Sequence, residues 1–119
     1  MSKLFEPFTA GGLTFKNRIV HVPTTMNMSD PNGYATRRIA AVYGNLAKGG
    51  YGATVVGATC VRRDGLINER MLGMYDEDYV IECWDTVSEI KNNDSLAGLQ
   101  LFYGGLIPGL GTTIPLAPG

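Results

Sequence analysis

The sequence has few of the side chains that bind metals or form covalent intermediates. It contains two cysteines, Cys60 and Cys83, and one histidine, His21. The cysteines are far apart and form no CxxC pair, so the sequence predicts neither a disulfide framework nor a metal site. Each thiol is more simply interpreted as a buried or half-buried core group.

Long apolar runs and an excess of charge are also missing. No apolar run approaches the ~20 residues of a membrane-spanning helix, and residues 1–6 lack the apolar stretch of a signal peptide. The net charge is −1, from 10 basic and 11 acidic residues, which gives no electrostatic footprint for nucleic acid or an anionic membrane. We therefore expect a cytoplasmic protein with neither nucleic acid nor a membrane as a partner.

What the sequence does contain is an alternation of strands and helices. Its 119 residues, 45% of them hydrophobic, suffice for one globular domain or less. A hairpin around a Gly-Gly turn is predicted at residues 8–15, and β-branched or apolar runs predict strands at residues 18–23, 53–61 and 96–102. Helical spacing lies between these strands, so the β-α-β-α-β order predicts an α/β fold with a parallel sheet.

The two predicted helices are amphipathic. Thr36 is the expected N-cap of the first, whose apolar positions are Ile39, Val42, Tyr43, Leu46 and Ala47. Either Asp76 or Asp78 caps the second, whose apolar positions are Val80, Ile81, Trp84 and Val87.

In a parallel α/β fold, ligands gather at the C-terminal ends of the strands. Those ends are expected at residues 23–26, 57–60 and 100–105, which offer small residues, hydroxyls and one amide, that of Gln100. They provide no carboxylate pair, no cluster of metal ligands and no nucleophile beside a base. This pattern indicates a site for a cofactor that carries the reaction while the protein orients it.

Five short elements of the chain carry a family resemblance: LFEP at 4–7, GLTFKNRIV at 12–20, PTT at 23–25, AKGGYG at 47–52 and QL at 100–101. In order and spacing they resemble the N-terminal part of the Old Yellow Enzyme and dienoyl-CoA reductase family. The resemblance implies a (β/α)8 TIM barrel that binds FMN and moves hydride from NADH or NADPH to the activated C=C bond of an enone or enoyl substrate. A TIM barrel takes ~250 residues, so residues 1–119 are expected to form a partial FMN-binding domain of about three βα units.

The resemblance also implies which residues contact the flavin. The backbone of Pro23 and Thr24 would lie along the ring, and the Thr25 hydroxyl would reach the flavin C4 carbonyl. Ala58 would supply a small side chain where the ring approaches a strand end. The amide of Gln100 both donates and accepts, which matches the pyrimidine edge of the flavin.

The resemblance has two departures. Tyr103 and Leu106 stand where the family commonly has His and Arg. The catalytic residues of the family are expected beyond Gly119, so we expect the chain alone neither to bind FMN tightly nor to reduce enones. An alternative is a non-catalytic fragment that acts only by association with itself, as a homo-oligomer, or with the missing portion.

Simpler interpretations of the same residues stay open at this point. The Thr25 hydroxyl would satisfy a local turn, and the Gln100 amide would bond a neighbouring strand. His21 would be a core histidine, and Cys60 a packed thiol. A different TIM-barrel enzyme, such as an aldolase or isomerase, would need a lysine or carboxylates at the strand ends, and these ends have none.

Overall fold

The computed structural model of the protein describes residues 3–106, so the predicted domain of residues 1–119 extends beyond the described chain at both ends. The described chain forms strands and helices in the order β1 (Phe8–Ala10), β2 (Leu13–Phe15), β3 (Val20–His21), α1 (Arg37–Lys48), β4 (Ala53–Cys60), β5 (Leu72–Gly73), α2 (Glu77–Glu82), α3 (Trp84–Lys91) and β6 (Leu96–Phe102). Short 3-10 turns occur at Lys3–Phe5 and Arg63–Gly65.

The predicted N-terminal hairpin is confirmed. Strands β1 and β2 pair in antiparallel register, with the ring of Phe8 stacked on that of Phe15 at 4.7 Å. Gly11 and Gly12 have φ values of 57° and 77°. A two-residue hairpin turn needs this left-handed backbone, which glycine adopts without strain.

Strand β4 is the centre of a four-stranded sheet in which every pair is parallel. Strand β6 runs along one edge of β4, from the pair Ala53–Leu96 to the pair Cys60–Phe102. On the opposite edge, β3 pairs with the start of β4 and β5 pairs with its end. The parallel sheet that the alternating pattern predicts is therefore present.

Helix α1 forms as predicted. The side chain of Thr36 accepts a hydrogen bond from the Ile39 amide at 3.3 Å and so caps the first turn. The helix buries Ile39, Tyr43 and Ala47 against the sheet, in one apolar cluster with Val56, Leu72 and Ile90. This cluster is the main core of the described chain.

The second helix differs from the prediction in two ways. It begins at Asp76, whose carboxylate accepts from the Asp78 amide at 3.0 Å, but it is divided at Cys83 into α2 and α3. Its buried stripe is Tyr79, Cys83, Thr86 and Ile90, whereas the apolar positions Val80, Ile81 and Trp84 are exposed. The predicted apolar face was wrong because no element of residues 3–106 packs on that side.

The first strand of the sheet is shorter than predicted. Only Val20 and His21 of residues 18–23 pair with β4, and Val20 and Val22 are exposed. Strand β5 lies between β4 and the second helix, where the sequence predicted no strand. No helix within residues 3–106 has both the length and the apolar character to cross a membrane.

Candidate functional site

The C-terminal halves of β4 and β6 meet at an irregular point. The register between these strands shifts between Val56 and Thr59. As a result, Gly57 and Ala58 of β4 together lie opposite one residue of β6, Gln100. This is the arrangement of a β-bulge, which re-aims side chains and is common beside active sites. The shift makes Ala58 and Gln100 neighbours near the ends of their strands.

The segment that follows β3 joins the same place. The backbone of Thr24 lies directly against Gly57, and a Cβ atom at position 57 would overlap the Thr24 carbonyl group. Only glycine permits so close an approach. The hydroxyl of Tyr43 accepts a hydrogen bond from the Gly57 amide at 2.7 Å and donates to the Thr24 carbonyl oxygen at 3.2 Å. Thr24 therefore lies on one edge of β4 at Gly57, and Gln100 lies on the other edge beside Gly57 and Ala58.

Two polar side chains at this place have no protein partner. Neither the hydroxyl of Thr25 nor the amide of Gln100 makes a hydrogen bond with residues 3–106. The alternative of a satisfied turn fits Thr24 instead, whose hydroxyl donates to the Val22 carbonyl at 3.4 Å. The alternative of a structural amide at Gln100 finds no partner strand group in the described chain. Both side chains are thus available to a ligand.

Ala58 has a structural role of its own. Its residue surface is 8% exposed, and it packs in a second apolar cluster with Cys60 and Met71. A small residue is required here by that packing even without a ligand. A ligand contact from Ala58 is therefore less distinctive than one from Thr25 or Gln100.

The loops after β4 and β6 are tied together beside the site. The ring of Tyr103 occupies the space that a Cβ of Gly65 would fill, and its hydroxyl donates to the Asp64 carboxylate at 3.4 Å. The guanidinium of Arg62 donates to the same carboxylate at 2.8 Å. Tyr103 thus holds two loops together at the position where it departs from the family pattern.

Cys60 takes the simpler role of a packed thiol, whereas His21 is half-buried with no hydrogen-bond partner for its Nδ1 in the described chain, so it is not a satisfied core histidine. The His21 ring makes edge contacts with Tyr43 and Tyr51 at centroid distances of 6.1 and 5.5 Å. Burial raises the pKa of the Cys60 thiol, whose Sγ donates to the Arg62 carbonyl, so this cysteine is packed rather than activated. Within the described residues, no three His, Cys, Asp or Glu side chains are grouped so as to hold a metal ion.

Sequence reasoning missed two residues that shape the site. Tyr43 was predicted only as an apolar position of α1, and Gly57 only as part of a strand-end segment. A tyrosine on the apolar face of a helix is a signal, because a buried hydroxyl needs partners. Its partners, the Gly57 amide and the Thr24 carbonyl, are set by the bulge, and no local sequence pattern in β4 predicts that bulge.

The chain matches the model of a known protein family. The model described as the NADH:flavin oxidoreductase / NADH oxidase family matches residues 3–108. The chain belongs to this family. Two bacterial relatives called NADPH dehydrogenase are similar to it, one from Bacillus cytotoxicus at 37% identity over 118 residues and one from Geobacillus thermodenitrificans at 36% over 103 residues. The matches cover 98% and 86% of this chain but only 34% and 30% of those relatives.

Solved structures of the family have the same fold. An Old Yellow Enzyme homologue from Zymomonas mobilis superposes on 87% of this chain with a TM-score of 0.79, at 24% identity. The matched region is 29% of that protein. The prediction of the N-terminal part of a (β/α)8 barrel is confirmed, since these neighbours are TIM barrels of which the chain covers a part.

Proposed function

We propose that this chain is the N-terminal part of an FMN-dependent ene-reductase and holds the flavin through Pro23, Thr24, Thr25, Ala58 and Gln100. The observation that carries the proposal is the pairing of two unpartnered polar groups, on Thr25 and Gln100, at one bulged strand end. Thr25 is half-buried and Gln100 is exposed, so neither group is committed to a protein partner in the described chain and both can be reached by a ligand at this edge. Membership of a flavin oxidoreductase family supports FMN as that ligand.

The residues present fit an aromatic ring with a polar edge. Thr24 lies against Gly57 with no side chain between the two backbones. The Gln100 amide offers one acceptor and two donors, which complement the alternating donors and acceptors of the flavin pyrimidine ring. The Thr25 hydroxyl can donate to a carbonyl oxygen of the same ring. Pro23 has no backbone N–H, so it adds apolar surface without an unsatisfied donor.

The reaction itself would belong to the cofactor. FMN, when bound, would supply hydride transfer from NADH or NADPH to the activated C=C bond of an enone or enoyl substrate. The residues of this chain would bind the ring, orient it and hold a hydrogen-bond donor at one carbonyl. We propose that catalytic groups and phosphate contacts come from polypeptide beyond Gly119, so the chain alone is inactive.

The test uses a completed protein, in which this chain is joined to the remaining part of the Bacillus cytotoxicus NADPH dehydrogenase. We expect it to bind FMN, and Thr25→Ala with Gln100→Ala to weaken the affinity by about tenfold or more, since two hydrogen bonds are lost. The matched control is Thr9→Ala with Asn45→Ala, which removes a hydroxyl and an amide outside the site. Equal FMN affinity for the site variant and the control would contradict the proposal.

Substrate class is tested on the same completed protein. We expect NADPH or NADH oxidation to become dependent on an added cyclic enone, with saturation by the enone. If the reduced nicotinamide is oxidised by oxygen alone and added enones have no effect, the protein is a flavin oxidase, and the ene-reductase proposal is wrong.

A second candidate function is assembly with another polypeptide, and the open side of the sheet supports it. Strand β6 pairs only with β4 in the described chain, and Leu101 is 63% exposed. Beside it, an apolar groove of about 530 Å³ lies between the sheet and the second helical segment. Its lining includes Leu72, Val80, Trp84, Val87 and Leu99.

The occupant that fits this side is a polypeptide with the remaining strands of a family barrel. The chain spans about a third of its relatives, at 34% and 30%, which leaves a matching partner of about two thirds. Sedimentation of the chain with the C-terminal part of the Bacillus cytotoxicus relative should give a one-to-one complex. A homodimer that excludes this partner would show that the open side is an interface between copies instead.

A further inference from the structure

The hydroxyl of Tyr43 joins three parts of the chain at one atom. Tyr43 lies on α1 and is 1% exposed. Its hydroxyl accepts from the Gly57 amide of β4 at 2.7 Å and donates to the carbonyl oxygen of Thr24 at 3.2 Å. The bond from the Gly57 amide is short and the O–H···O bond to Thr24 is long for its type, and together they use the acceptor and donor capacities of the hydroxyl.

The segment that follows β3 makes few hydrogen bonds to other strands and helices of the described chain. Strand β3 stops pairing at His21. For residues 23–27, the bond from Tyr43 to Thr24 is the only hydrogen bond to another element within the described chain. The position of the Thr24 carbonyl therefore depends on Tyr43 from one side and on contact with Gly57 from the other.

The Tyr43 hydroxyl also provides a hydrogen-bond acceptor for the Gly57 amide at the bulge. The register shift between Val56 and Thr59 interrupts the regular pairing of β4 at Gly57. A buried amide without a partner costs free energy, and here the amide of Gly57 is satisfied by a side chain from α1. Burial raises the pKa of Tyr43, although the bond from Gly57 opposes this, so the hydroxyl keeps its proton and can donate.

We propose that Tyr43 is a positioning residue of the flavin site: its hydroxyl fixes the Thr24 backbone against the bulge and so sets where Thr25 stands relative to Gln100. This inference rests on the proposed FMN function. It does not make Tyr43 a catalytic residue, because Tyr43 is buried behind the backbone that it holds. The expected consequence is that loss of one oxygen atom on α1 weakens a ligand held by other residues.

The variant is Tyr43→Phe, and the chain offers a closely matched control in Tyr79→Phe. Tyr79 is also buried, and its hydroxyl likewise makes two hydrogen bonds, accepting from Arg63 and donating to the Asn32 carbonyl, both at 3.0 Å. The two variants remove the same atom and the same number of bonds. Only Tyr43 touches the backbone of the proposed site.

Two measurements separate positioning from general stability. In the completed protein, we expect Tyr43→Phe to weaken FMN binding by at least about fivefold, while Tyr79→Phe changes it less than about twofold at a similar loss of thermal stability. In the 119-residue chain, Tyr43→Phe should speed hydrogen exchange of the Gly57 amide by at least about tenfold relative to its neighbours. Chemical shifts of Thr24, Thr25 and Ala58 should move with it.

Failure of the inference differs from failure of the proposed function. If the unmodified completed protein binds FMN but Tyr43→Phe and Tyr79→Phe weaken it equally, the positioning role is wrong. If the unmodified completed protein binds no FMN, the proposed function is wrong. In that case Tyr43 cannot position a flavin, and the exchange and shift measurements decide only whether its hydroxyl fixes the Thr24 backbone: unchanged exchange and shifts in Tyr43→Phe would show that it does not.

Discussion

The two edges of strand β4 differ in how far the neighbouring apolar side chains are covered. On the edge with β3, helix α1 covers the sheet and buries Ile39 and Tyr43, and we call this the closed flank. On the edge with β6, apolar side chains on the second helical segment and on β6 remain exposed, and Trp84 is 72% exposed. We call this the open flank. Both β3 and β6 pair only with β4 within residues 3–106, and Val20 and Val22 on the β3 side are exposed as well. The difference between the flanks is therefore one of helix packing: α1 is packed on the sheet, whereas the apolar side chains Val80, Ile81 and Trp84 of the second helical segment are uncovered.

The proposed flavin site lies across both flanks. Thr24 and Gly57 belong to the closed flank, where packing and the Tyr43 hydroxyl fix their positions. Gln100 belongs to β6 on the open flank, where no further strand pairs within the described chain. Half of the site is therefore held rigidly and half depends on polypeptide that completes the barrel. This explains why we expect no tight FMN binding by the chain alone.

Truncation of a side chain should expose this difference most strongly. Ile39→Ala on the closed flank should lower the free energy of unfolding by about 2–5 kcal/mol, because it leaves a cavity in the main core. Trp84→Ala on the open flank should cost less than about 0.5 kcal/mol, as for other exposed positions. Urea unfolding of the 119-residue chain measures both values. Equal costs would mean that the open flank is already covered in solution.

Addition of a methyl group to a glycine is the next test. Gly57→Ala should destabilise the chain by about 1–3 kcal/mol, because the new Cβ overlaps the Thr24 backbone on the closed flank. The control is Gly98→Ala in β6, whose Cβ would meet no backbone atom at close range but only the Val55 side chain, 3.2 Å from its nearest methyl carbon. We expect the control to change stability far less. A stable Gly57→Ala protein with unaltered Thr24 shifts would contradict the close contact.

The rates at which the two cysteines react with a maleimide compare the accessibility of the two flanks. Both cysteines are buried, but Cys60 is 0% exposed, whereas Cys83 is 9% exposed and lines the groove of the open flank. Burial raises the pKa of both thiols, so both should react slowly with a maleimide. Cys83 should still react at least about tenfold faster, because Cys60 becomes accessible only by local unfolding. Binding of the partner that completes the barrel should slow the maleimide reaction of Cys83 and leave that of Cys60 unchanged. The reverse pattern would show that the open flank has been assigned to the wrong side.

The smallest expected effect concerns alkaline pH. Burial raises the pKa of Tyr75 from 10.0 to about 12, with a further contribution from Cys60. Since the folded state holds this proton more tightly than the unfolded state, its contribution is present below pH 10 and is lost as pH rises towards about 12. Tyr75→Phe should therefore flatten the fall of stability between those values. If stability falls equally steeply over this pH range in Tyr75→Phe, the fall is caused by other groups.

Local patterns predicted the hairpin, the cap of α1 and the span of β6. These features depend on neighbours in sequence: two glycines in a turn, Thr36 before an amphipathic run, and an uncharged run between turn residues. The second helix was predicted with the wrong face, because Trp84 and its neighbours are apolar but face the open flank. Periodicity identifies an apolar stripe but does not reveal whether a partner is present to cover it.

Topology places the ends of parallel strands at one edge, so the segments 23–26, 57–60 and 100–105 could be grouped from the sequence. The choice of Thr25, Ala58 and Gln100 within them came from the family resemblance. The contact between Thr24 and Gly57, the register shift and the hydroxyl of Tyr43 could not be predicted, because they depend on how separate elements meet. The added strand β5 was missed because its two residues are too few to form a pattern.

The central claim is that Thr25 donates to the flavin held beside Gln100, and the reduction potential of FMN in the completed protein tests it most directly. Thr25→Ala should make the two-electron potential more negative by about 30 mV, equivalent to about 1.4 kcal/mol, because a donor to the reduced ring is lost. Thr24→Ala is the control, since that hydroxyl bonds the Val22 carbonyl. We predict a shift for Thr25→Ala alone. An unchanged potential in Thr25→Ala, or an equal shift in both variants, would contradict the account.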